Sequence, residues 1–271
     1  MSINPLEVDE KWQTLLRLLT QRAGQGLALA FSGGVDSSLL AYAARRSLDG
    51  RVTAVYFRTP LQSAADHRQA ESMAAEIGCR LMVVREQPLA LAPVAANQRA
   101  RCYYCKRLLL GRLRSVADSL SVASIADGSN ADDALSPRPG NRAAQELGVW
   151  RPLAEAGLNK EEVRYLARRA GLSNWQTPAH PCLASRFPYD TPLDEEQLRR
   201  VEEAEEYIAT LGLGEEFRLR AHGELCRLEL QPQYIAQAAA RAEELSACLR
   251  ELGYKYATLD LQGFYSGSMD R

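Results

Sequence analysis

The segment Leu27–Leu40, "LALAFSGGVDSSLL", constrains the fold more than any other part of the chain. A short unbroken apolar run, Leu27–Phe31, has the character of a buried parallel strand. Ser32-Gly33-Gly34-Val35-Asp36-Ser37 follows, and a helical pattern begins at once in "SSLLAYAARRSL". Glycines let the backbone turn tightly and approach a ligand. The amides at the start of the helix then face an anion. Ser32, Ser37 and Ser38 add hydroxyl donors. The Walker pattern GxxxxGK[ST] is absent, so this is another kind of phosphate loop.

Strand and helix patterns alternate around it. Residues 8–23 read as a helix with Trp12, Leu15, Leu16 and Leu19 on one side. Strands are expected at 52–57, 80–85 and 121–127, with helices at 64–78 and from Cys102 to about Asp118. This alternation predicts an α/β domain, a parallel sheet with helices on both faces. Its ligands should bind at the carboxyl ends of the strands. "IADGSNADD" follows the fourth strand at that same edge and offers Asp127 and Gly128, with Asp132 and Asp133 readable as an acidic surface loop. Polar, proline-bearing 131–141 is expected to be a loop. Asn159, three residues before Glu162, carries a capping-box pattern.

The segment 177–193, "TPAHPCLASRFPYDTPL", contains four prolines and is expected to be a linker or active-site loop. Beyond it the pattern changes to a helix at 194–211, a hairpin around Gly223, a helix at 233–252 and a strand "YATLDL". The expected organisation is residues 1–185 as one domain and 186–271 as a small α+β domain.

Charge and cysteine content bear on partners. With 33 Lys plus Arg against 34 Asp plus Glu, the net charge of −1 argues against a protein built to hold long nucleic acid. No apolar run suffices to span a bilayer, and the N-terminus lacks a signal-peptide pattern, so a cytoplasmic protein with no membrane partner is expected. Thiols stay reduced there. Of the six cysteines, Cys79, Cys226 and Cys248 read as small apolar filler. Cys102 and Cys105, in "RARCYYCKRLLL", read as a zinc half-site, a redox dithiol or two iron–sulfur ligands, and nothing local decides. Arg99, Arg101, Lys106 and Arg107 surround that pair and favour thiolate or anionic substrate. Arg218 and Arg220 alternate on a strand, so both leave one face and suit a phosphate. His180 and His222 read as loop hydrogen-bonders, and Tyr103, Tyr104 and Trp150 as packing residues.

The Ser32–Ser38 segment resembles the SGGxDS loop of the PP-loop ATP pyrophosphatases, which adenylate a substrate and release pyrophosphate. That resemblance implies that Ser32, Gly33, Gly34, Asp36, Ser37, Ser38, Asp127 and Gly128 bind ATP, with Mg²⁺ partly on Asp36. It sets "FRTPL", after the second strand, near adenine.

"RCYYCK", "SPRPGNRAA", "HPCLASRFPYDTPL", "FRLRAH" and "YATLDLQGFYSG", in that order, resemble the LarE family of ATP-dependent sacrificial sulfur transferases of nickel-pincer nucleotide biosynthesis. What the resemblance implies is sulfur transfer to an adenylated carboxylate of pyridinium-3,5-biscarboxylic acid mononucleotide, a small-molecule substrate. In single-cysteine members the cysteine of the junction loop, here matched by Cys182, donates its own sulfur. The extra Cys102 and Cys105 resemble the three-cysteine subgroup, in which Cys102, Cys105 and Cys182 would hold a 4Fe-4S cluster fed by a sulfide source. Three thiolates leave one iron open, unlike a closed structural zinc site. The resemblance further implies that Arg218 and Arg220 bind the substrate phosphate, that Glu205 and Glu229 lie near that site, and that the protein is a homo-oligomer, a hexamer. Arg186, next to the reactive loop, suits a substrate phosphate or carboxylate. A PP-loop tRNA thiolase and a non-catalytic nucleotide-binding module are the alternatives.

Overall fold

The computed structural model describes residues 3–135, 139–178, 180–265 and 267–270. Two compact units emerge, one of residues 1–88 and 102–179, the other of residues 89–101 and 180–271.

The first unit begins with α1 (Pro5–Ala23), capped by the Asn4 side chain, which accepts from the Leu6 amide. β1 (Leu27–Ala30), α2 (Val35–Ser47), β2 (Val52–Arg58), α3 (Ala64–Ile77) and β3 (Arg80–Arg85) follow. The chain then contributes α4 (Ala92–Ala95) to the second unit and returns along α5 (Arg101–Ser119) to β4 (Ser124–Asp127). The four strands are parallel in the order β3-β2-β1-β4. Alternate residues serve opposite faces of the sheet. Leu27, Leu29, Ala54 and Tyr56 pack into one apolar cluster with Leu15, Leu39 and Met73. Ala28, Val55, Phe57 and Ile125 pack into another with Leu110, Leu113 and Ala117. The doubly covered parallel sheet is the architecture the sequence predicts.

Strand order reverses at β1: β2 and β3 lie on one side of it and β4 on the other. Such a switch point opens a crevice at the strand carboxyl ends. Ala30 and Asp127, the last residues of β1 and β4, are in register there.

Residues 131–141 differ from expectation. They begin α6 (Ala131–Leu135) and α7 (Pro139–Glu146), with 136–138 outside the described residues. Asn130 Oδ1 accepts from the Asp132 and Asp133 amides and so caps the first. Pro139 opens the second, where a proline costs no hydrogen bond. A sequence reading that takes polar residues and prolines as loop markers misses helix starts made of the same residues. α8 (Pro152–Glu155) and α9 (Lys160–Arg169) complete the unit. The capping box at α9 forms as the pattern predicts: Asn159 Oδ1 accepts from the Glu162 amide and Glu162 Oε2 from the Asn159 amide, both at 2.9 Å.

In the second unit, a 3₁₀ turn at Leu183–Arg186 leads to α10 (Glu195–Thr210), capped by Asp194. β5 (Phe217–His222) and β6 (Leu225–Leu230) form the expected antiparallel hairpin. The helix expected at 233–252 is two helices, α11 (Ile235–Ala240) and α12 (Ala242–Glu251). The two meet at Arg241, whose backbone leaves the helix (φ −105°, ψ 24°) and whose guanidinium bonds the Leu211 carbonyl at 2.9 Å and both Glu244 carboxylate oxygens. β7 (Tyr256–Leu259) adds parallel to β6. No described helix is long and apolar enough to cross a membrane.

Candidate active site

The loop between β1 and α2 is held by its own serines. Gly33 has φ +75°, and a Cβ there would stand 2.7 Å from the Ala70 Cα on α3. Only glycine meets both demands. The Ser37 hydroxyl donates to the Gly34 carbonyl at 3.0 Å and lies 3.2 Å from the Ser32 hydroxyl. Asn174, itself buried, donates to the Gly33 carbonyl (2.8 Å) and to Ser38 Oγ (3.0 Å). Ser37 and Ser38 are buried and brace the turn, while Ser32 is exposed. Gly34 caps α2 with no side-chain cap of its own, and its amide donates to the Ser32 hydroxyl oxygen at 3.3 Å.

Two carboxylates border this backbone site, each against a lysine. Asp36 Oδ2 pairs with Lys160 Nζ, and its Oδ1 accepts from Asn130 Nδ2 at 2.9 Å. Asp127, buried at the end of β4, pairs with Lys106 Nζ at 2.8 Å. Gly128 lets the β4 loop lie against α2, since a Cβ would stand 2.8 Å from the Ser37 amide nitrogen. Asp132 and Asp133 are structural: Asp132 Oδ2 accepts from the Lys160 amide (2.9 Å), and Asp133 Oδ2 from the Asn130 amide (3.3 Å). Sequence reasoning missed Asn130, Lys160 and Asn174. Lys160 and Asp36 stand 124 residues apart, and no local pattern joins them.

Cys102 and Cys105 lie near the start of α5, three residues apart and so on one side of the helix. Cys102 is exposed and Cys105 half-buried. Their donor chemistry and spacing fit two ligands of an iron–sulfur cluster. Cys182, half-buried at the start of the 3₁₀ turn, belongs to the second unit. Among the described residues no group of three or more His, Cys, Asp or Glu is gathered as a metal site. For Mg²⁺, the ammonium against Asp36 marks that carboxylate as a cation position.

The second unit concentrates buried arginines. Arg186 donates through Nε and Nη2 to Glu205, at 3.0 and 2.8 Å, and through Nη1 to the Pro181 carbonyl at 2.6 Å. Arg220 makes a fork to Glu229 Oε2, 2.9 Å from Nε and 2.8 Å from Nη2, and donates to the Ser185 carbonyl at 3.0 Å. Glu229 is fully buried and also accepts from Arg227 and Ser268, both at 3.0 Å. Arg218 lies across from Glu229 in the strand register, with its guanidinium over the Phe264 ring. Burial first, then the Arg186 charge, lowers its affinity for its proton, against the opposing pull of Glu205. A cation disfavoured in this way is one that an anion stabilises.

His180 and His222 are exposed. Although the residue is exposed, partial burial of its ring, followed by the Arg227 charge, lowers the His222 pKa from its ordinary value. Tyr103 is buried as a packing residue should be and donates to Glu146 at 2.6 Å. Tyr104 is not one: it is exposed, resting edge-on against Tyr103. Cys226 is fully buried filler, and burial raises its thiol to about 11.

The sequence pattern of the NAD synthase family matches residues 7–120, the span that carries the β1–α2 loop. An uncharacterized protein of Synechocystis sp. is 38% identical over 90% of this chain and 91% of its own length. The pyridinium-3,5-bisthiocarboxylic acid mononucleotide synthase of Lactiplantibacillus plantarum is 35% identical over 91% of this chain and 89% of its own. An uncharacterized protein of Methanocaldococcus jannaschii is 25% identical over 89% of this chain and 91% of its own.

Proposed function

This chain belongs to the LarE family, that of the L. plantarum synthase, and from that membership we propose that it is an ATP-dependent sulfur transferase acting on pyridinium-3,5-biscarboxylic acid mononucleotide in nickel-pincer nucleotide biosynthesis. The observation that carries the reading is the match over 91% of the chain, which takes in both units. A PP-loop at the switch point of the sheet supports an enzyme that uses ATP.

The reaction needs two displacements. A substrate carboxylate oxygen attacks the α-phosphorus of ATP, and pyrophosphate leaves. A thiolate sulfur then attacks the carbonyl carbon, and AMP leaves. Our reading gives pyrophosphate to the amides of Gly33, Gly34 and the α2 start, braced by Ser32, Ser37 and Ser38, with Gly128 closing the crevice. Asp36 would hold Mg²⁺, which neutralises phosphate charge when bound. Lys160 and Lys106, already beside Asp36 and Asp127, supply further positive charge for the leaving group. Arg218 and Arg220, with Arg186, take the substrate phosphate.

Cys182 is the proposed sulfur donor. In the sacrificial form its sulfur bonds the acyl carbon, and its own Cβ–S bond breaks with loss of the α-proton, leaving dehydroalanine and a thiocarboxylate. Cys102 and Cys105 would join Cys182 in holding a 4Fe-4S cluster, which supplies an open iron able to carry sulfide when bound. Turnover of the full chain with the biscarboxylate nucleotide, ATP and sulfide is expected to release pyrophosphate and form a thiocarboxylate. Asp36→Ala should stop both while leaving the fold intact. Pyrophosphate release with some other acceptor and none with this nucleotide would sink the reading. Anaerobic reconstitution should bind about four irons per chain if the cluster assignment is right. Iron content unchanged in Cys182→Ala would remove that cysteine from the ligand set.

A further inference from the structure

Arg101 is 7% exposed, yet its Nε and Nη1 have no hydrogen-bond partner among the described residues. Its guanidinium lies over the Tyr189 ring, 4.4 Å from the centroid. Arg99, exposed to solvent, lies over the same ring at 4.8 Å. In the same unit Arg186 and Arg220 each hold a glutamate. Arg101 holds none among the described residues. A ring face attracts a cation but accepts none of its N–H bonds, so the guanidinium fork is left without acceptors. A buried charge in that condition is costly unless something anionic completes it.

The pair is rigidly built. Asn97 is fully buried with φ 51°, and its Nδ2 donates to the Phe187 (3.3 Å) and Pro188 (2.8 Å) carbonyls. The Asp190 amide donates to the Asn97 carbonyl at 3.2 Å, and the Leu193 amide to the Ala95 carbonyl at 2.7 Å. The segments carrying Arg101 and Tyr189 are therefore fastened on both sides of the ring. Asp190 is the nearest acid along the chain, and it is exposed. Ser185, whose carbonyl accepts from Arg220, is four residues before Tyr189, so their Cα atoms are at most about 14 Å apart.

We propose that Arg101, with Arg99 beside it on the Tyr189 ring, forms an oxyanion site that takes a carboxylate of the substrate. This rests on the substrate class proposed above, an aromatic biscarboxylate with one phosphate. Arg218 and Arg220 answer to the phosphate. When one carboxylate is adenylated the other is still an anion, and Arg101 is the buried fork that matches it.

The test is calorimetric titration of the full chain with two probes, pyridine-3,5-dicarboxylate and ribose 5-phosphate, which separate the two anions. Arg101→Gln is expected to weaken dicarboxylate binding about tenfold or more and leave ribose 5-phosphate unchanged. Arg218→Gln should do the reverse. The site is overturned if the unaltered chain does not bind the dicarboxylate, if Arg101→Gln leaves its affinity unchanged, or if both probes weaken equally. Loss confined to ribose 5-phosphate would make Arg101 a phosphate group and overturn the carboxylate assignment. Should Arg101→Gln not fold, Arg101→Lys decides, because it keeps the charge without the planar fork. Unchanged dicarboxylate affinity in that variant overturns the site. Neither probe requires turnover. Arg101-dependent binding without sulfur transfer would therefore sink the substrate reading and leave the carboxylate site standing.

Discussion

In the first unit the charges beside the proposed nucleotide loop are carboxylates answered by lysines, Asp36 by Lys160 and Asp127 by Lys106, and the proposed anion site is backbone. In the second unit the buried charges of the proposed substrate site are guanidiniums answered by glutamates, Arg186 by Glu205 and Arg220 by Glu229, so that proposed site is made of side chains. A backbone site depends on residues that let the chain approach closely. A side-chain site depends on every buried charge having its partner. The two should therefore fail differently.

The largest effect is expected in the second unit. Glu229→Ala leaves the Arg220 guanidinium buried without its carboxylate and should cost about 3–5 kcal/mol of stability in a denaturant titration. A cost under about 1 kcal/mol would mean that Arg220 finds another partner, and the contrast between the units would lose its basis.

Gly33→Ala comes next. It sets a Cβ against the Ala70 backbone at positive φ, and about 2–4 kcal/mol is expected, with loss of ATP-dependent pyrophosphate release. Full release by a stable Gly33→Ala protein would show that the loop does not need this close approach.

The smallest effect concerns pH and sharpens the role of burial in the second unit. The Cys226 thiol is raised from 9.0 to about 11 by burial. The folded state therefore keeps a proton that the unfolded chain releases. That stabilisation is complete below pH 9.0 and is lost as pH rises towards about 11. Cys226→Ala should flatten the fall in melting temperature over this window. An identical slope in both proteins would assign the fall to other groups.

The same contrast explains what could be read from the sequence. Gly33, Asp36 and the strand before them stand next to one another, and the backbone chemistry they encode is local. The capping box at Asn159 and the strand alternation of Arg218 and Arg220 are equally local, and both form as the spacing implies. The helices at Ala131–Leu135 and Pro139–Glu146 were obscured because caps and loops draw on the same residues. At the break, Arg241 bonds the Leu211 carbonyl, thirty residues away, a contact that helical periodicity does not encode.

The sequence by itself determined the parallel α/β unit, its phosphate-type loop and, beyond it, a helix, a hairpin, a further helical stretch and a last strand in that order. Each rests on periodicity or on short-range turn chemistry. Only the tertiary structure decided that Lys160 answers Asp36, that Asn174 ties the Gly33 turn, that Leu89–Arg101 packs with the C-terminal unit, and that Arg101 is buried over Tyr189. Those are pairings across long stretches of chain. Their partners are chosen by which groups burial brings together and leaves to satisfy one another, and residue order does not carry that information.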